Sequence, residues 1–204
     1  MMTTLEVVHH NTLAAAFDRF NRDIAAWIDH CLEAYSDEPP TDVHDQGTYT
    51  TSWRSYLVRR GHARARGFLN VLRDNISEHF HETGKWYHGY WAKAEAHHGT
   101  EHTELFLGNL LRLAPDDAVT RQMILDVAEH IGNWVSDIPD WFDWDNGLFC
   151  SMWQGTKEVP ADKGMEVNVP DHLRLVNISL MAYELSSDQR YLDLAVRALF
   201  PWAE

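Results

Sequence analysis

Apolar residues recur every three or four positions over most of the chain, and this spacing predicts a helical protein. The clearest predicted helix covers residues 11–35, where apolar and charged positions occupy opposite sides. A second predicted helix covers residues 51–75 and contains Gly61 and Gly67. Each glycine costs about 1 kcal/mol relative to alanine in a helix interior. The pair therefore predicts close helix packing or a local kink.

Further helices are predicted in the second half of the chain, at residues 98–114, 117–135, 170–185 and 188–199. The two segments 77–97 and 136–170 have no helical period, and a loop as long as the second is usually functional. Within that loop, the runs LFCSMW and MEVNV could pair as a ribbon. We therefore expect one all-α domain over residues 1–204, with long aromatic loops and at most a small β-ribbon.

The charge of the chain narrows the range of partners. It carries 31 acidic and 17 basic side chains, a formal net charge of −14, which disfavours nucleic acid and anionic membrane surfaces. The first residues contain neither a basic region nor an apolar signal region, and no apolar run approaches the length of about 18 residues that predicts a membrane span. The cytoplasm is therefore the expected location.

Residues 85–104, KWYHGYWAKAEAHHGTEHTE, are the densest group of chemically capable side chains. They hold four of the thirteen histidines together with three acids and four aromatic residues. Such groups titrate near neutral pH, bind metals or stack on flat ligands. This segment is the predicted site.

Two stretches resemble α/α-toroid carbohydrate-active enzymes, a group that includes six-hairpin glycoside hydrolases and polysaccharide lyases. LSSDQRYLDLAVRAL (185–199) resembles a helical hairpin that recurs in these enzymes. PDWFDWDNGLFCSMWQG (139–155) resembles their inter-helix loops, in which a Gly-Leu-Phe segment leads to a Trp that faces the central cavity. The resemblance is architectural and implies antiparallel helical hairpins of α/α-toroid type. Since the chain is too short for a closed ring, it implies a partial toroid or a ring completed as a homo-oligomer.

The resemblance also implies an enzyme that cleaves an oligo- or polysaccharide, with β-elimination at a uronate favoured over glycoside hydrolysis. In elimination a His or Tyr removes the proton beside the uronate carboxylate, whereas hydrolysis usually needs two carboxyl groups. The candidate catalytic residues are Tyr87, His88, His98, Glu101 and His102. The candidate substrate-binding residues are Trp86, Trp91, Trp153, Gln154, Asp171, His172 and Arg174. This chemistry needs no cofactor and no metal.

Two alternatives remain open. His98, Glu101 and His102 match the pattern H-x-x-E-H, in which two imidazoles on one helix face hold zinc and the carboxylate activates water. The alternative enzyme is therefore a metal-dependent hydrolase with a divalent metal at His98 and His102, for which Glu166 or Glu184 would be the third ligand. The alternative outside the enzymes is a non-catalytic helical binding or assembly module.

Overall fold

The computed structural model describes residues 4–35, 43–92, 97–151, 153–160 and 169–203, with the side chains of the first two ranges described from residues 12 and 51 onward. This part of the chain is mostly helical, as the periodicity predicts. The helices are α1 (Thr4–Ala34), α2 (Val43–Arg60), α3 (Ala63–Glu82), α4 (His97–Glu101), a π-helical turn (His102–Leu107), α5 (Gly108–Leu113), α6 (Ala118–Glu129), α7 (Val169–Ser186), α8 (Gln189–Leu199) and a final 3-10 turn (Phe200–Trp202). Among them, none is long and apolar enough to cross a membrane.

The prediction of one continuous helix over residues 51–75 is wrong, because the helical backbone is interrupted between α2 and α3. Gly61 takes a left-handed conformation with φ +69°, which ends α2. His62 is extended and its Nδ1 accepts a hydrogen bond of 3.2 Å from the Ala65 amide, which caps α3. Gly67 stays inside α3 with open space around its Cα. One of the two glycines therefore ends a helix, and the other does not.

Two short antiparallel hairpins interrupt the helices. Strands β1 (Trp86–Tyr87) and β2 (Tyr90–Trp91) lie in a segment predicted to be irregular, and β3 (Phe142–Asp143) pairs with β4 (Leu148–Phe149). Leu148 and Phe149, the first two residues of LFCSMW, therefore pair with a segment just before them, and the pairing of this run with MEVNV stays a prediction. Residues 165–168 of MEVNV lie outside the described residues, and Val169 begins α7.

The fourth predicted helix is too long, because α6 ends at Glu129 and the chain turns away over residues 130–133. Asn133 adopts φ +61° and its side chain holds the returning loop. Its Oδ1 accepts hydrogen bonds from the amides of Trp141 (2.9 Å) and Phe142 (3.1 Å), and its Nδ2 donates to the Phe142 carbonyl. These three bonds satisfy backbone groups of the returning loop.

Buried apolar side chains form two clusters. The N-terminal core contains residues of α1, α2, α3, the π-helical turn and α5, with Trp53 fully buried. The C-terminal core contains residues of α6, α7, α8 and the loop between them, with Trp141 fully buried. Helix α6 contributes Ile124 to the first core and Val127 to the second, and Met181 packs against both. Helix α6 therefore lies where the two cores meet.

A buried ion pair joins α3 to the start of α6. Arg73 is 4% exposed, and its Nη1 lies 2.5 Å from Asp117 Oδ2 and 3.0 Å from Thr120 Oγ1. Asp117 also caps α6 by accepting a bond of 2.9 Å from the Thr120 amide. Burial opposes ionisation of Asp117, but the hydrogen bonds from Thr120 and the charge of Arg73 outweigh it and lower the pKa of this carboxyl.

Candidate functional site

A cavity of about 340 Å³ lies between α3, the β1–β2 hairpin, the π-helical turn and α6. Its volume falls in the range of small-molecule sites. Apolar side chains form much of the wall, namely Phe80, Leu107, Met123 and Val127. Titratable and aromatic groups from the predicted site form the remainder, namely Trp86, Tyr87, His88 and His102, joined by His81 and Asp126.

The β1–β2 hairpin places Tyr87 and His88 beside this cavity. Its two turn residues, His88 (φ +50°) and Gly89 (φ +79°), both have positive φ, as a two-residue hairpin with the usual strand twist requires. A Cβ on Gly89 would lie 2.4 Å from Val127 Cγ2, and a Cβ on Gly99 would lie 2.5 Å from the Gly89 carbonyl oxygen. The two glycines therefore let the hairpin pack directly against α6 and α4.

His88 forms a cluster with Asp126 of α6 and with His130, which follows the last residue of that helix. Its Nδ1 lies 2.8 and 3.0 Å from the two carboxylate oxygens of Asp126, and its ring stacks on that of His130 with centroids 4.1 Å apart. His130 is 5% exposed, and its Nδ1 donates a hydrogen bond of 2.7 Å to the Asp126 carbonyl oxygen. Within the described ranges, these three residues form the one group of metal-ligating side chains whose ligand atoms all lie within 4.8 Å of one another.

Tyr87 joins the hairpin to the loop that follows α6. Its hydroxyl donates a hydrogen bond of 2.8 Å to Asp137 Oδ2, and this bond is the main reason that the pKa of Tyr87 is raised. The same bond is the main reason that the pKa of Asp137 is lowered, with a contribution from the nearby His130 and His88. Asp137 Oδ2 lies 3.9 Å from His88 Nε2 and 3.8 Å from His130 Nε2. The predicted site at residues 85–104 and the long loop at residues 136–170 therefore meet at this point.

His102 lies deep in the wall and is 1% exposed. Burial lowers its pKa to about 3, so the imidazole is neutral at physiological pH. Neither of its ring nitrogens has a hydrogen-bond partner among the described residues, and neither has Trp86 Nε1, whose ring lies edge-on to His102 at 5.0 Å. Buried polar atoms without partners are uncommon in native proteins and call for a ligand or water. These atoms therefore make the cavity the candidate binding site.

Three other predicted residues form a separate polar network between α4 and α7. Arg174 Nη2 lies 3.1 Å from Glu101 Oε1, and its Nη1 lies 2.9 Å from Asp171 Oδ1. His97, which the sequence analysis does not select, places its Nδ1 2.9 Å from the same Asp171 oxygen. These side chains do not line the cavity. Glu101 and His102 are adjacent in sequence, but Glu101 belongs to this polar network and His102 to the wall of the cavity.

The remaining predicted residues lie elsewhere. The rings of Trp91 and His98 pack together with centroids 4.5 Å apart. Gln154 is 1% exposed, and Trp153 beside it is half-buried. His172 is buried with its Nε2 3.4 Å from the Ser151 carbonyl oxygen, and burial lowers its pKa. The candidate residues predicted from the sequence therefore do not all meet in one cavity.

The H-x-x-E-H pattern does not bring its members together. His98 packs on Trp91, Glu101 pairs with Arg174, and His102 lies under Trp86. His98 and Glu101 lie in α4, whereas His102 begins the π-helical turn.

Asp126, His130 and Asp137 are not among the site residues predicted from the sequence. Asp126 and His130 are four positions apart on α6 and its end, a spacing that places two side chains on one helix face. That spacing was the available signal. Comparisons of the chain with protein-family models, with curated proteins and with solved structures found no match.

Proposed function

We propose that the protein is an enzyme that cleaves a glycan, with β-elimination at a uronate favoured over glycoside hydrolysis. The observation that carries this proposal is the convergence of Trp86, Tyr87, His88 and His102 on one cavity. Aromatic side chains offer the flat apolar faces on which sugar rings stack, and the unpartnered nitrogens of His102 and Trp86 can bind sugar hydroxyl groups.

His88 is the proposed base. Its Nδ1 hydrogen donates to the Asp126 carboxylate, which orients the ring and leaves a lone pair on Nε2. A carboxylate in this position also stabilises the imidazolium that forms when Nε2 takes a proton. The pair therefore has the arrangement of a general base that is held and supported by an acid.

Tyr87 is the proposed proton donor. Its hydroxyl keeps its proton in the hydrogen bond to Asp137 and lies beside His88, with the two rings 4.3 Å apart. In the proposed reaction, His88 takes the proton from the carbon beside the uronate carboxylate. The electrons of that C–H bond form the carbon–carbon double bond as the glycosidic C–O bond breaks, and the leaving oxygen takes the proton of Tyr87. Transfer of the proton from His88 back to Tyr87 restores the enzyme.

A uronate also needs a partner for its carboxylate. No lysine or arginine is among the described residues that line the cavity, and His81 at the end of α3 is the exposed histidine there. We assign the carboxylate contact to His81, since a histidine can fill this role in elimination. The acidic neighbours Asp126 and Asp137 weaken the binding of an anion, so this assignment predicts modest affinity.

The finer architecture belongs to the same proposal. Helices α7 and α8 are joined by Ser187 and Asp188 alone, and Asp188 caps α8 by accepting a bond of 3.1 Å from the Arg190 amide. This is the segment whose sequence resembles the toroid hairpins. We propose that the helices form hairpins of α/α-toroid type in a partial ring.

The test uses the full chain with a panel of polyuronates, followed by the ultraviolet absorbance of the unsaturated product. We expect the wild type to generate absorbance and Tyr87→Phe and His88→Asn to lower kcat by about 100-fold or more, since general acid–base groups contribute about 10²–10⁴ in rate. Asn is chosen because it tolerates the positive φ of residue 88. Tyr183→Phe on α7 is the matched control.

Three results would contradict the proposal in different ways. New reducing ends without the absorbance of an unsaturated product would show that the enzyme cleaves by hydrolysis and not by elimination. Activity that survives both substitutions would show that Tyr87 and His88 are not the catalytic residues. The absence of cleavage in both assays, with variants as stable as the wild type, would favour the non-catalytic binding module.

A further inference from the structure

We propose that His88, Asp126 and His130 form a binding site for a divalent transition-metal cation of the Zn²⁺ type. Each side chain offers one ligand atom, and these atoms lie within 4.8 Å of one another. They come from two separate elements, the tip of the β1–β2 hairpin and the last turn of α6. Ligands that a folded domain brings together from different elements are already held in place, which lowers the entropic cost of binding.

The surroundings orient the imidazole of His130 as a metal-binding histidine is oriented. His130 Nδ1 donates to the Asp126 carbonyl oxygen at 2.7 Å, which leaves a lone pair on Nε2. Histidines that bind metals usually donate their other ring N–H to a carbonyl or a carboxylate in this way. The ring is also fixed by its stacking on His88 and by its 5% exposure.

A second carboxylate faces the same place. Asp137 Oδ2 lies 3.9 Å from His88 Nε2 and 3.8 Å from His130 Nε2, too far for a hydrogen bond. The Tyr87 hydroxyl donates to this oxygen and orients it. A cation near the two imidazoles is therefore surrounded by the negative charge of both Asp126 and Asp137.

The ligand types select the metal. Two imidazoles with carboxylates suit Zn²⁺ and similar ions, whereas Ca²⁺ requires six to eight oxygen ligands. Zinc bonds of about 2.0–2.2 Å place neighbouring ligand atoms roughly 3–3.5 Å apart. An ion that binds at this contact takes the place of the proton on His88 Nδ1, and the 2.8 Å distance between Nδ1 and Asp126 Oδ1 needs to open by a few tenths of an ångström.

Occupation by the cation would inhibit the enzyme, a consequence that rests on the proposed function. A metal bound to His88 engages the imidazole that the elimination uses as its base. The binding of the cation itself depends only on the three ligands and not on the reaction.

The experiment measures the binding of Zn²⁺ and of Ca²⁺ to the full chain by titration calorimetry, after treatment with a chelator. We expect one equivalent of Zn²⁺ to bind, with at least tenfold weaker binding in His88→Asn and Asp126→Asn. The matched controls are His30→Asn on α1 and Asp140→Asn in the loop after α6, both of which are exposed and should bind as the wild type does. The proposal is overturned by the absence of stoichiometric Zn²⁺, by unchanged affinity in the two site variants, or by equal affinity for Ca²⁺.

A second measurement separates this proposal from the proposed function. If polyuronate cleavage occurs, added Zn²⁺ should abolish it and a chelator should restore it. Cleavage that is insensitive to Zn²⁺ while calorimetry shows binding would refute inhibition alone. Zinc binding without any cleavage would leave the metal site established and the proposed enzyme refuted.

Discussion

The ion pair between Arg73 and Asp117 provides a quantitative test of how α3 and α6, the two helical walls of the cavity, are held together. We predict that Asp117→Asn lowers the free energy of unfolding by about 2 kcal/mol. Asparagine is as good a helix cap as aspartate, so the cap of α6 should survive. What is lost is the charge opposite Arg73, whose side chain is 5% exposed, and hydrogen bonds to charged groups contribute about 1.5–3 kcal/mol. Arg73 keeps its contact of 2.8 Å with Asp74, which places the expected loss inside that range rather than above it.

The assay is urea unfolding of the wild type, Asp117→Asn and the control Asp116→Asn, whose side chain is exposed beside the cap. The pH dependence supplies an independent check. Because the pKa of Asp117 is lowered in the folded protein, its contribution is present above the unfolded pKa of about 3.9 and is lost as pH falls through the folded value. The difference between wild type and Asp117→Asn should therefore be constant between about pH 5 and 7 and shrink below about pH 4. A loss under about 0.5 kcal/mol, or a difference that persists at low pH, would refute the role given to this pair.

Two further predictions concern the hairpin and the cavity wall. Gly99→Ala should destabilise the protein by about 1–3 kcal/mol in thermal unfolding, because the new Cβ meets the Gly89 carbonyl oxygen, whereas Gly67→Ala, with open space in α3, should stabilise it by up to about 1 kcal/mol. Equal effects of the two substitutions would contradict the close packing of the hairpin. His102→Phe should leave the stability of the ligand-free protein unchanged within about 1 kcal/mol, because neither ring nitrogen has a hydrogen bond to lose, and it should weaken polyuronate binding measured by tryptophan fluorescence. A large loss of stability would indicate that the imidazole is hydrogen-bonded after all.

The periodicity of apolar residues predicted α7 and α8 well, since each buries one face along most of its length. It also predicted most of α1, although Leu13, Phe17 and Phe20 of that helix are exposed. It failed where an apolar residue is buried by something other than its own helix. Ile131, Trp134 and Val135 continue the helical spacing of α6, yet the chain has already turned, and these residues are covered by the loop that Asn133 holds. The glycine at position 61 predicted a possible interruption of the helix, as did Gly67. Only the left-handed backbone conformation of Gly61, seen in the structure, distinguishes the two glycines.

The site was predictable only in part for a similar reason. Trp86, Tyr87 and His88 could be predicted as site residues because they are consecutive in the sequence. Asp126 and Asp137 give no such signal, since their importance comes from lying against the tip of a hairpin about forty to fifty residues earlier in the chain. The pairing of His98 with His102 was misleading because their side chains pack on different neighbours, Trp91 for His98 and Trp86 for His102.

The position of the cavity has a consequence for the cooperativity of unfolding. Its wall takes Phe80 and Leu107 from the N-terminal core and Val127 from the C-terminal core. Separate cores can open with different free energies. A molecule bound in the cavity contacts both cores, so its binding energy is lost whichever of them opens first. The ligand would then couple the unfolding of the two cores. The occupied protein would unfold in one cooperative transition, whereas the two cores of the empty protein would unfold separately.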